Sequence, residues 1–99
     1  MKPSESATDP FPVLQYSQLP DLPRAREDFG FVKGFDNKLY VIGGHNREDQ
    51  EYLDSVLAFD FSSNSWTEVA CLPCGGLKAM GVCSMPDGIY VMGGYSARY

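Results

Sequence analysis

Cys71-Leu72-Pro73-Cys74 has the most explicit chemical spacing in this sequence. Two thiols separated by two residues suit a redox dithiol or half of a zinc site. A redox pair of this kind opens a helix in a βαβ setting, and no helical pattern flanks it here. A structural zinc site takes four ligands. Cys83 offers a third, but it falls inside a strand-like stretch, and His45 is the single histidine. The three cysteines therefore read as ordinary thiols, those at 71 and 74 in a loop, with no metal and no cofactor expected. His45 has no serine or cysteine nucleophile marked beside it by a motif. Asp28, Asp36, Glu48 and Asp54 show no spacing that sets paired carboxylates across a bond. Gly43-Gly44 and Gly93-Gly94 lead into polar loops, without the helix and lysine that a phosphate cradle uses. Trp66 and Tyr16 sit inside strand-like stretches and read as packing residues. No catalytic residue is expected.

Composition narrows the partners. The net charge is −5 and no Lys/Arg cluster exists, which argues against a nucleic-acid binder. Glu48-Asp49-Gln50-Glu51 reads as a solvated acidic loop. No apolar run reaches membrane-spanning length, and Met1 to Pro12 lacks the apolar centre of a signal peptide. Three cysteines, an odd number, point to a reduced, cytoplasmic setting. An apolar fraction of 43% with 13% aromatics is enough for a packed core and too rich for a disordered chain.

Short strands must position whatever function there is. Leu39-Tyr40-Val41-Ile42-Gly43-Gly44 returns fifty residues later as Ile89-Tyr90-Val91-Met92-Gly93-Gly94. Repeats near this period belong to propellers or arrays. Residues 29–35 alternate large with small side chains, Asp36-Asn37 supplies a turn, and 38–42 returns, which predicts a hairpin. Phe29, Phe31 and Phe35 fall on one face of it. Gly30, Val32 and Gly34 fall on the other, where a neighbouring backbone can approach closely. Gly43 to Tyr52 reads as a polar loop. Strands follow at 53–59 and 65–69 around the turn Asp60-Phe61-Ser62-Ser63-Asn64. Ala79–Met85 and Ile89–Met92 form a second hairpin around Pro86-Asp87-Gly88. Without a gap, Tyr16–Gly44 aligns with Trp66–Gly94, so that Val82 falls on Val32, Gly76 on Arg26, and Tyr95 on His45.

This order of features resembles the kelch repeat. Leu22-Pro23 with Arg26, the double glycine, Leu53-Asp54-Ser55-Val56 running into Phe59-Asp60, and Trp66 before Leu72-Pro73 carry the resemblance. It implies an all-β fold, a partial propeller with one complete four-stranded antiparallel blade and flanking half-blades. Residues 1–12 would be a flexible leader, 13–19 the final strand of a preceding blade, 20–70 the complete repeat, and 71–99 the first half of a second. The chain is expected to be a stretch of a longer propeller. The resemblance also implies a non-catalytic module binding a protein or peptide, similar to the substrate-recognition part of cullin ubiquitin-ligase adaptors. Its loops place Arg26, His45, Asn46, Arg47, Tyr95 and Arg98 as partner contacts. Arg24 and Arg26 together suit an acidic peptide. An actin-associated scaffold is the alternative. A galactose-oxidase-like propeller enzyme fits less well, since its copper site needs more than one histidine.

Overall fold

The apolar run Leu39–Ile42 is the second strand of a four-stranded antiparallel sheet in the computed structural model, which describes residues 18–96. Among the described residues there are ten short strands: β1 Gly30–Lys33, β2 Leu39–Ile42, β3 His45–Asn46, β4 Glu51–Tyr52, β5 Ser55–Asp60, β6 Ser65–Cys71, β7 Leu77–Lys78, β8 Gly81–Met85, β9 Gly88–Met92 and β10 Tyr95–Ser96. The complete sheet has the order β1-β2-β5-β6. The expected leader and residues 13–17 of the expected preceding strand lie outside the described residues. Gln18 and Leu19 lie inside them and are not in a strand.

The central strands β2 and β5 carry the core. Val41, Ile42, Leu57, Ala58 and Phe59 are buried, Phe59 completely. Continuous apolar residues along a short strand mark burial on both faces. Burying each large side chain contributes roughly 1.5–3 kcal/mol. Phe59 packs edge-on against Phe61 at 5.0 Å and tilted against Trp66 at 5.2 Å. The Trp66 indole N–H donates to the Pro20 carbonyl at 2.9 Å, so the expected packing role of Trp66 includes a polar anchor. The outer strand β6 skips one residue opposite β5. Val56 faces Ala70 and Leu57 faces Glu68, leaving Val69 as a bulge.

Turn chemistry follows side-chain type. Asp60 accepts from the Ser62 N–H and hydroxyl at 2.9 and 2.7 Å, closing the β5–β6 turn. Asp36 does the same work in the first hairpin, accepting from the Lys38 N–H at 3.1 Å and the Tyr40 hydroxyl at 2.5 Å. Close approach at Gly30 and Gly34 is present, though side chains rather than backbone make it. A Cβ at Gly30 would lie 2.7 Å from Val82 Cγ1, and one at Gly34 would lie 2.7 Å from the Tyr40 ring. Phe31 and Phe35, on the opposite face, are exposed.

Two expectations are corrected. The segment Gly43 to Tyr52 is not a plain loop, because β3 and β4 pair His45 with Tyr52 and Asn46 with Glu51. The ungapped repeat also slips. Gly30 pairs with Ile42 and Gly81 with Met92. Ile42 and Met92 are fifty residues apart, but Gly30 and Gly81 are fifty-one apart. Backbone conformation agrees: Asp28 and Ala79, also fifty-one apart, share a left-handed φ of 55° and 56°. Val82 therefore stands where Phe31 stands, not Val32, and Leu77 rather than Gly76 stands where Arg26 does. One extra residue between Pro73 and Leu77, where Gly75 has φ 83°, is offset by a shorter β8–β9 turn. The reason is physical: a one-residue slip in a strand moves every side chain to the other face.

The double glycine joins the two units. Gly44 N–H donates to Leu77 O at 2.8 Å, Leu77 N–H to Leu53 O at 3.1 Å, and Leu53 N–H to Gly44 O at 2.7 Å. The three backbones close a ring in which each gives and accepts one bond. Both glycines have positive φ, 62° and 112°. A Cβ on Gly43 would collide with the Leu77 carbonyl, and one on Gly44 would lie 3.0 Å from the Glu27 carbonyl. Each glycine thus admits a different inter-unit linker: Gly44 its own, Gly43 the next.

Candidate interaction surface

The linker at residues 20–28 and the β3–β4 hairpin meet along one rim of the first unit. Glu27 and His45 exchange backbone bonds, Glu27 N–H to His45 O at 2.9 Å and His45 N–H to Glu27 O at 2.8 Å. Asn46 is buried because both ends of its amide are used. Its Nδ2 donates to Ala25 O at 2.8 Å and its Oδ1 accepts from Asp49 N–H at 2.8 Å. A buried amide with both ends satisfied fixes a loop well, since leaving either end unpaired costs about 1–3 kcal/mol.

Arg24 and Arg26 go to different partners. Arg24 Nη2 reaches Asp49 at 2.6 Å and Glu51 at 2.7 Å. Those bonds, to Glu51 first and Asp49 second, raise its pKa. Being exposed, they guide the hairpin more than they stabilise the fold. Arg26 turns inward. Its Nε donates to Arg24 O at 3.2 Å, and Nη1 donates to Gly43 O at 3.2 Å and Ser55 Oγ at 3.0 Å. Burial, and then the neighbouring Arg24 charge, lower its pKa. Guanidinium donors thus tie the linker to the double glycine and to β5.

A hollow of about 220 Å³ lies between these elements, lined by Ala25, Arg26, Glu27, His45, Asn46, Arg47 and Glu48. Glu27 Oε2 sits between His45 Nδ1 at 3.4 Å and Arg47 Nε at 3.3 Å. The His45 ring packs edge-on against Tyr52 at 5.4 Å, and Lys78 Nζ stands 5.3 Å from the centre of that tyrosine ring. Arg47 is 79% exposed at the rim.

Arg26, His45, Asn46 and Arg47 therefore converge on one hollow, with Arg26, His45 and Asn46 supplying its frame and Arg47 its open side. Tyr95 stands apart, exposed in β10 and paired with Lys78 of β7. Arg98 lies outside the described residues. Glu27 is the member that the sequence reading missed. Its place depends on the pairing of residue 27 with residue 45, which no local pattern announces. Among the described residues, no group of three or more His, Cys, Asp or Glu side chains could hold a metal ion. The three cysteines are free and exposed, and Cys71 ends strand β6 rather than lying in a loop.

A four-stranded meander, followed by a hairpin that repeats its first two strands and a double glycine at each junction, defines a blade of a partial kelch propeller. Residues 34–73 match the family model described as the Kelch motif. The chain carries a kelch repeat, built as one four-stranded antiparallel blade. It is 41% identical over 78 residues to Kelch-like protein 41 of Homo sapiens and of Mus musculus. It is 38% identical over 77 residues to Kelch-like protein 40a of Danio rerio, and 34% over 71 residues to Kelch-like protein 13 of Mus musculus. These alignments cover 77%, 77% and 69% of the chain, but the chain spans only 12%, 12% and 11% of the relatives' length.

Proposed function

We propose that the chain is a cytoplasmic, non-catalytic interaction module that takes an acidic peptide side chain into the hollow between residues 25–27 and 45–48. The observation that carries this reading is a small hollow with the exposed Arg47 guanidinium at its edge, held in the free chain by Glu27. A volume of about 220 Å³ is below the size of drug-like ligand sites, roughly 300–1,000 Å³, and suits one peptide side chain. Arg47 stands exposed beside it and His45 forms part of its wall. Arginine is over-represented among residues that dominate binding energy. Glu27 already occupies these two groups in the free chain. An incoming carboxylate takes its place, and the hollow accepts the rest of the side chain. Within a longer kelch-like protein, such a module serves as the substrate-recognition part of a cullin ubiquitin-ligase adaptor.

Fluorescence anisotropy with a panel of Asp/Glu-rich peptides tests the reading. Arg47→Ala weakens the best peptide by about 1–2 kcal/mol, roughly five- to thirty-fold. Glu27→Gln strengthens it, because the internal competitor loses its charge. Unchanged affinity in both variants sinks the proposal. Co-sedimentation with filamentous actin, unaffected by Arg47→Ala, would favour the scaffold reading instead.

A further inference from the structure

Val82 against Gly30 packs β8 onto β1 at one end of these strands. Toward the other end, where each hairpin turns, a second hollow of about 320 Å³ lies between the two units. Gly34, Asp36 and Tyr40 of the first hairpin line one side of it, and Ser84, Asp87 and Ile89 of the second line the other. Ser84 and Ile89 pair across β8 and β9 and are both half-buried, so they share with Val82 the face of that hairpin turned toward β1. The walls of this hollow therefore belong to units adjacent in the chain and face each other. It lies where β2 begins, whereas the hollow of residues 25–27 and 45–48 lies beyond the point where β2 stops.

The chemistry at this end is opposite in sign. Both walls carry a carboxylate, and none of the described lining residues is a lysine, arginine or histidine. Lys38, whose charge acts on Asp36 and Asp60, is not part of the lining. A tyrosine hydroxyl orients each carboxylate, Tyr40 on Asp36 at 2.5 Å and Tyr90 on Asp87 at 2.9 Å. A carboxylate has about four acceptor sites. Asp36 uses one on Tyr40 and one on the Lys38 N–H, and Asp87 uses one on Tyr90, so both retain accepting capacity. The Ser84 hydroxyl oxygen is buried and, among the described residues, has no hydrogen-bond partner. An unsatisfied buried polar atom in a native fold calls for a physical reason.

We infer that this hollow takes the side chain of an arginine from a partner protein, at the opposite end of the blade from the acidic-peptide hollow. A guanidinium presents five N–H donors in one plane and matches carboxylates better than a point-like ammonium. Its methylene stem lies along apolar surface, which the Tyr40 ring and Ile89 supply. The Ser84 hydroxyl then has a donor within the same wall. A volume at the lower end of ligand-site sizes, roughly 300–1,000 Å³, suits one long side chain.

The test is an amide NMR titration of the full 99-residue chain. The probe is the capped peptide acetyl-Gly-Arg-Gly-amide, and the control is the same peptide with citrulline, a neutral isostere, in place of arginine. Saturable shifts are expected at the amides of Asp36, Ser84, Asp87 and Gly88 with the arginine peptide. The citrulline peptide is expected to bind at least about five-fold more weakly, and Asp87→Asn to weaken the arginine peptide by about the same factor. Asparagine keeps an acceptor for the Tyr90 hydroxyl, so the turn is retained and only the charge is lost. Arg47→Ala leaves arginine-peptide binding unchanged, which separates this site from the first hollow. No saturable shift by about 10 mM peptide overturns the inference. So do shifts confined to the acidic loop at residues 48–51, equal affinity for the citrulline peptide, or undiminished binding by Asp87→Asn. Should that variant fail to fold, the comparison of arginine with citrulline on the wild-type chain decides alone.

Discussion

Gly43 and Gly93 occupy the same place in successive units, with φ of 62° and 68°, but only Gly43 faces a linker. Replacing each by alanine therefore separates two costs. Both substitutions force a residue with a Cβ into the left-handed region, at roughly 1–2 kcal/mol. At Gly93 that is the whole effect, because the new Cβ meets nothing within 4 Å. At Gly43 it collides with the Leu77 carbonyl oxygen, a backbone atom held by the Gly44 N–H at 2.8 Å. Crowding of this kind costs about 1–3 kcal/mol, and loosening the bond to Leu77 adds about 1 kcal/mol. Gly43→Ala is expected to destabilise by about 2–4 kcal/mol more than Gly93→Ala. Urea unfolding of both variants beside the wild type, at one fixed low concentration, reads the difference. Equal loss in the two variants, within about 0.5 kcal/mol, would refute the reasoning that the first glycine exists to admit the next linker.

Other outcomes follow from the core and the first turn. Phe59→Ala removes a fully buried ring together with its contacts to Phe61 and Trp66, and costs about 3–5 kcal/mol, measured by the same unfolding curves. That is enough to unfold most molecules of a marginally stable chain. The Tyr40 hydroxyl and the Lys38 N–H hold the Asp36 carboxyl below the usual carboxylate range. A depressed folded pKa gives stability that is fully present above the unfolded value, about 3.9, and lost as pH falls through the folded one. Asp36→Asn should therefore flatten the acid end of the stability profile and leave the shape near neutrality unchanged. The same bond raises the Tyr40 pKa. Its phenol should ionise at higher pH in the folded protein than in Asp36→Asn, read by absorbance of the tyrosinate.

Much of the fold is written in local pattern. Val41 and Ile42 before a double glycine specify a buried strand and its end, and Asp60 to Asn64 specify a tight turn with their own side chains. The register of the second hairpin was harder. Counting from the double glycines gives fifty residues, and only the spacing of Gly30 and Gly81 reveals fifty-one. The signal was present, in a glycine following a large residue in both copies, but Val82 on Val32 offered a plausible competing match. The β3–β4 hairpin has strands of two residues, too short to show alternation, and it is held by distant groups, Arg24 on Asp49 and Asn46 on Ala25. For the same reason four candidate contact residues could be named from the loops, while Glu27 and the inward turn of Arg26 could not. Those depend on the crossing of two segments about twenty residues apart.

The ring of backbone bonds through Gly44, Leu53 and Leu77 has a kinetic meaning. No one of its amides can be freed by a motion confined to its own loop, since each carbonyl released belongs to the next member. Leu77 comes from the second unit and the other two from the first. Hydrogen exchange at these three amides should therefore report one shared opening event, with one free energy and one dependence on denaturant. Opening of that kind is a property of a cooperative unit rather than of a sequence repeat. The repeat boundary drawn along the chain and the boundary along which the protein comes apart are then different lines, the second running outside the linker that the first would cut.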